Sequence, residues 1–133
     1  MQAQQDELTE YGKRAGSNPP TFTPLSNGGV LVEIENVDIS GQGWNRDKVK
    51  LLFVIPAGYP ASQPDCFWVE PAGFRMANGG TPQNTNDANP IPGDVNPGRL
   101  TTWFSWHLQT WNPSKDSLVT YFNVIMRRFS PAR

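Results

Sequence analysis

Residues 101–111, TTWFSWHLQTW, place a serine two positions before the only histidine of the chain. A serine hydroxyl is a weak nucleophile until a neighbouring base takes its proton, and neutral imidazole is the usual base near neutral pH. Ser105 and His107 therefore read as a candidate nucleophile and base, on one condition. Residues i and i+2 share a face in extended or irregular backbone, but point about 200° apart on a helix. The competing reading has Ser105 capping a turn and His107 packed between Trp103 and Trp111 at helical spacing. Thr101 and Thr102 are the other hydroxyls within reach. Cys66, the single cysteine, begins an apolar strand and is expected to be packed, because buried cysteine behaves as a small hydrophobe. One cysteine makes neither an internal disulfide nor, alone, a thiolate metal centre. No metal and no cofactor is expected.

The elements that must hold this segment follow from periodicity. Residues 2–13 suit a short polar helix in which only Leu8 and Tyr11 offer an apolar stripe, ended by Gly12, Gly16 and Pro19–Pro20. Residues 21–23 form a short candidate strand before the Ser26–Gly29 turn. Residues 30–39 alternate, with Val30, Val32 and Ile34 opposed to Glu33 and Glu35, as in a strand with one wet face. Residues 49–55, VKLLFVI, are apolar on both faces and predict a central strand. Residues 66–69, CFWV, predict a fourth.

Residues 71–99 are poor in apolar side chains and hold four prolines from Pro82 to Pro97. A loop of that length inside a compact domain is usually functional or disordered. Asp87 and Asp94 lie in it, and loop carboxylates are usually solvated. A final helix is predicted with Ser114 as N-cap, Asp116 near its positive end and Arg127–Arg128 in its last turn. Leu118, Phe122, Ile125 and Phe129 give it one apolar face, with Met126 and Phe129 as core residues, and Pro131 stops it. The expected architecture is α+β, a four-stranded antiparallel meander with helices on one face. Residues 1–133 are expected to form one domain, with 1–19 a weakly anchored extension and 20–131 the core.

The bulk properties exclude some partners. Net charge is −1, from 11 basic and 12 acidic residues, which gives no field for a phosphate backbone, so no nucleic acid is expected. The aromatic cluster lacks the interleaved cations of a base-stacking surface. No apolar run nears the roughly 20 residues that span a bilayer, and no leader is visible, so a cytoplasmic protein without a membrane partner is expected.

Four features, in order, resemble the ubiquitin-conjugating fold. The strand at 51–55 runs into PAGYPASQP (56–64), similar to that family's Tyr-Pro turn; FWVEP (67–71) resembles its fourth strand. Thr81–Pro82–Gln83 sits where its His-Pro-Asn triplet falls, and Trp111–Asn112–Pro113 resembles its Trp-x-Pro. The detail is most similar to the prokaryotic ubiquitin-conjugating-like family E, which joins a PxGYPxxxPDxF pattern to WxxxSxHxxxW and an acidic helix start. Here these are residues 56–67, Trp103 or Phe104 through Ser105 and His107 to Trp111, and Asp116.

That resemblance implies a component of a bacterial pathway that conjugates a ubiquitin-like protein, a transferase receiving its C-terminus from a ThiF-type activating enzyme. A JAB-type peptidase is an associated partner, and antiviral defence is the setting that such operons imply. Ordinary members carry the acyl group on a cysteine eight residues before the Trp of Trp-x-Pro. Here that position is Trp103. The resemblance then implies a serine oxyester on Ser105 with His107 as base, or a catalytically inactive adaptor that binds the ubiquitin-like protein or its activating enzyme. A third reading is an unrelated binding domain whose proline turns mimic the family. Where ordinary members use Asn as oxyanion donor, Asn84, Gln83 or Asn86 would serve, with Trp103 and Thr102 lining the site.

Overall fold

The apolar run at the centre of the chain forms the strand around which everything else packs. In the computed structural model, which describes residues 2–133, this is β3 (Lys48–Ile55). Val49, Leu51, Phe53 and Ile55 face one side, while Leu52 is buried on the other. β3 pairs antiparallel with β2 (Val30–Asp38) and with β4 (Phe67–Glu70), and β1 (Thr21–Pro24) flanks β2.

The sheet has six strands, not four. Its order is β1-β2-β3-β4-β6-β5, with β5 (Thr85–Asn86) and β6 (Thr102–Phe104) added beyond β4. Neither is visible as a pattern. Two or three residues carry too little alternation to register. β6 is nonetheless a strand by its contacts, with Thr102 and Phe104 buried inward and Trp103 half-exposed outward. Consequently residues 101–111 start as sheet rather than leading straight into a helix.

Two helices cover one face. α2 (Leu118–Phe129) buries Leu118, Tyr121, Phe122, Ile125 and Phe129 against β2, β3, β4 and β6. Its N-cap is Ser117, not Ser114. Ser117 Oγ accepts from Thr120 N, and Thr120 Oγ1 accepts from Ser117 N at 3.0 Å, a reciprocal capping box. Residues 112–116 are spent on a turn of their own. Asn112 Oδ1 accepts from Ser114 N, and Asp116 Oδ2 from Asn112 N. α1 (Gln2–Arg14) uses its few apolar residues well: Leu8 is 1% exposed, and the Tyr11 ring meets Phe122 at 5.8 Å while its hydroxyl donates to Asn123.

The other face is covered by the long loop. Ile91 is buried with Leu25, Leu31, Leu52 and Trp68, and Trp68 Nε1 donates to Asn89 O at 2.9 Å. Arg99 fixes the returning limb. Its guanidinium reaches Glu33 (2.8 Å), Glu70 (3.1 Å) and Asp94 (2.9 Å), and its side chain is 6% exposed. Asp87 and Asp94 are therefore ion-paired rather than simply solvated. Asp87 binds Arg75 at 2.6 Å and accepts from the Thr102 hydroxyl at 2.7 Å. No helix among the described residues is long and apolar enough to cross a membrane.

Candidate functional site

The site forms where the chain leaves β6 and passes the entry to β4. Strand alternation continues past Phe104, so Ser105 points outward while Phe104 stacks on Phe67 with ring centroids 4.6 Å apart. Ser105 N donates to Asn84 O at 2.9 Å, and Cys66 N to Trp106 O at 3.0 Å. These two bonds extend the β4-β6-β5 pairing and hold residues 104–107 in non-helical backbone. The condition for a Ser105–His107 couple is thus met locally. Ser105 Oγ lies 3.4 Å from His107 Nε2.

The imidazole has a second partner. His107 Nδ1 lies 2.5 Å from Asp65 Oδ1, with His107 60% and Asp65 52% exposed at the side chain. A carboxylate there holds the ring proton on Nδ1 and leaves Nε2 free as acceptor towards the hydroxyl. Serine, histidine and aspartate then stand in the order of an acyl-transfer triad at an open surface. The 3.4 Å Ser–His separation is long, as such contacts often are before substrate binds. The packed, helical placement of His107 between Trp103 and Trp111 is not found. Trp111 lies apart, its Nε1 donating to Pro60 O and its ring tilted against Tyr59.

Asp65 was missed by reasoning from the sequence, although it stands inside the PDxF stretch that carried the resemblance. Its neighbour Cys66 is buried, and burial pushes the thiol up from its ordinary value. Cys66 adopts φ 61°, a left-handed backbone that turns Asp65 outward just before β4. By donor type Asp65, Cys66 and His107 could also ligate a metal, since their ligand atoms lie within 4.8 Å of one another. That use needs the thiolate, which burial disfavours, and it competes with Asp65 for the imidazole.

The other candidates are distributed unevenly. Asn84 is adjacent to Ser105 through its main chain, has φ 58° and is exposed. Asn86 pairs with Trp103 across β5 and β6, its Oδ1 engaged by Ala88 N. Trp103 lies half-buried on the loop-covered face with Trp68. Gln83 is tied through its main chain to the end of the chain and α2: its carbonyl accepts from Arg128 and its N–H donates to Arg133 O. Thr102 is fully buried, donating to Asp87 and accepting from Phe74 N, and Thr101 is buried too. The structure does not bring either threonine to the Ser105 surface.

A family model described as prokaryotic E2 family E matches residues 17–132. No curated protein and no solved structure matches the chain.

Proposed function

The chain belongs to prokaryotic E2 family E, and from that premise we propose that it carries the C-terminus of a ubiquitin-like protein as an oxyester on Ser105. The donor would be a ThiF-type activating enzyme holding that C-terminus in activated form. One observation supports the choice of nucleophile: Ser105 Oγ, His107 Nε2 and His107 Nδ1 with Asp65 form a continuous hydrogen-bonded line at an exposed position. As Oγ attacks the activated carbonyl carbon, His107 Nε2 takes the hydroxyl proton and Asp65 stabilises the resulting imidazolium. The collapse of the tetrahedral intermediate expels the activating enzyme's leaving group, which His107 can reprotonate. An acceptor amine then repeats the sequence and frees Ser105. Asn84, whose main-chain oxygen accepts from Ser105 N, is the residue proposed to supply the oxyanion donor through its carboxamide.

The alternative, an inactive adaptor for the ubiquitin-like protein or its activating enzyme, is favoured by Trp103 at the position where ordinary members keep their thiol. Incubation with the activating enzyme, ATP and the ubiquitin-like partner separates the two. The carrier reading expects an adduct that resists thiol and is cleaved by hydroxylamine, and Ser105→Ala abolishes it. An adduct that survives Ser105→Ala refutes the nucleophile assignment. Binding with no adduct at all establishes the adaptor.

A further inference from the structure

Beyond His107, residues 106–110 and one side of α2 line an open cavity of about 510 Å³. Its lining includes His107, Arg127, Arg128 and Arg133, against a single carboxylate, Asp116. Asp116 is already engaged by the N–H of Asn112. None of the three arginines pairs with an acidic side chain among the described residues.

Arg128 is the exceptional member. It is 1% exposed, with Cζ 5.0 Å from the Phe104 ring, 5.3 Å from Trp106 and 5.9 Å from Trp44. Its Nη2 donates to the oxygens of Gln83 and Arg133, both at 2.9 Å, but its buried Nη1 has no protein acceptor among the described residues. Burial, and then the charge of Arg133, push this guanidinium down to about 10. A place in the last turn of α2 suits a cation, and aromatic stacking holds its plane. Neither supplies an acceptor for Nη1, and a buried polar group left without one is unfavourable.

We propose that this cavity is a carboxylate pocket that takes an acidic side chain of the peptide segment presented to Ser105 and His107. Its place beside the acyl site rests on the proposed function; its binding chemistry does not. The walls favour a carboxylate on an apolar stem over a bare inorganic anion. Trp106, Leu108 and Val124 can cover methylene groups, while the cationic groups are the side chains of Arg127, Arg128 and Arg133 rather than the nest of main-chain N–H groups typical of phosphate sites.

The test titrates the whole chain with Ac-Gly-Glu-Gly-amide, with its Gln counterpart and with inorganic phosphate, following the Trp106 indole N–H by NMR. The Glu peptide should saturate, with the Gln peptide at least about tenfold weaker. Removing Arg128 risks the fold, so the primary variant is Arg127→Ala/Arg133→Ala, expected to weaken the Glu peptide about tenfold at unchanged Tm. Equal binding of both peptides, no saturable binding, or phosphate binding more tightly than the Glu peptide each overturns the proposal. Ser105→Ala should leave peptide binding intact. Lost peptide selectivity with the oxyester intact sinks the pocket alone, whereas intact selectivity with no oxyester sinks the carrier reading alone.

Discussion

A histidine assists a hydroxyl only in the correct tautomer, and the neighbour that fixes the tautomer is as consequential as the base itself. Here that neighbour is Asp65, 2.5 Å from His107 Nδ1. Asp65→Asn keeps the shape but loses the charge that holds the proton on Nδ1 and stabilises imidazolium. Oxyester formation should slow on the order of 10²-fold, the lower end of what positioned acid–base groups contribute. Tm should barely move, because both partners are more than half exposed and such pairs add little stability. Nitrogen-15 spectra of His107 should register the changed tautomer, a signature that a merely structural residue would not move. Wild-type rate in Asp65→Asn would remove Asp65 from the mechanism. The couple it serves was legible because Ser105 and His107 are two residues apart. Asp65 lies 42 residues upstream of His107, and the contact exists only because β4 pairs with β6. No local period encodes that.

The long loop owes its order to charge. Arg99 ties its returning limb to β2 through Glu33 and to β4 through Glu70, and Asp94 is itself only 7% exposed. Removing the cation would leave the nearly buried Asp94 carboxylate uncompensated, while Lys50 still reaches Glu33 and Glu70, so Arg99→Ala should cost about 3 kcal/mol. Chemical denaturation measures that cost, and a loss near zero would show that apolar contacts such as Ile91 suffice. Acid should release the same clamp. Burial raises the Glu33 carboxyl, but the bonds from Lys50 and Arg99 outweigh it and hold it below its ordinary 4.5. The bond from Arg75, against a smaller burial effect, holds Asp87 below 3.8. Both pKa values are depressed by folding, so their contribution is present above those ordinary values and is lost as pH falls beneath them. Tm should therefore drop below about pH 4 more steeply in wild type than in Glu33→Gln, which has already lost that ionisable group. The loop's length and its lack of apolar residues were readable in advance; its ion pairs were not, since Glu33 looked like the wet side of an alternating strand. The N-cap failed for a related reason. Ser114 is an excellent capping residue by type, but Lys115 N and Asp116 N both donate to Asn112 O, closing a separate turn, so the helix starts only after Ser117.

The two faces of the sheet divide the work, helices packing the core on one and the loop covering the other, and the site lies where the two coverings meet. The α+β class and its central strand followed from the VKLLFVI run, but the edge that creates the site is built from strands of two and three residues. A direct bond connects the helical layer to that edge. The Tyr121 hydroxyl, which burial raises far above its ordinary value, donates to Cys66 O at 2.5 Å. Cys66 is the residue held at φ 61°, and its N–H in turn bonds Trp106 O. One tyrosine thus braces both the turn that aims Asp65 and the strand exit that aims His107. Tyr121→Phe leaves a buried carbonyl without its donor, at a cost of about 1–2 kcal/mol. If the brace matters for chemistry, the oxyester rate should fall several-fold beyond any loss of folded protein. Ile34→Val supplies the comparison: it removes one methylene from the same core, costs about 1 kcal/mol and touches neither Asp65 nor His107. Matched losses of Tm with an unequal loss of rate would establish that α2 positions the site. Equal rates in the two variants would reduce Tyr121 to a core residue, and leave the backbone bonds of β4, β5 and β6 as the sole support of the triad.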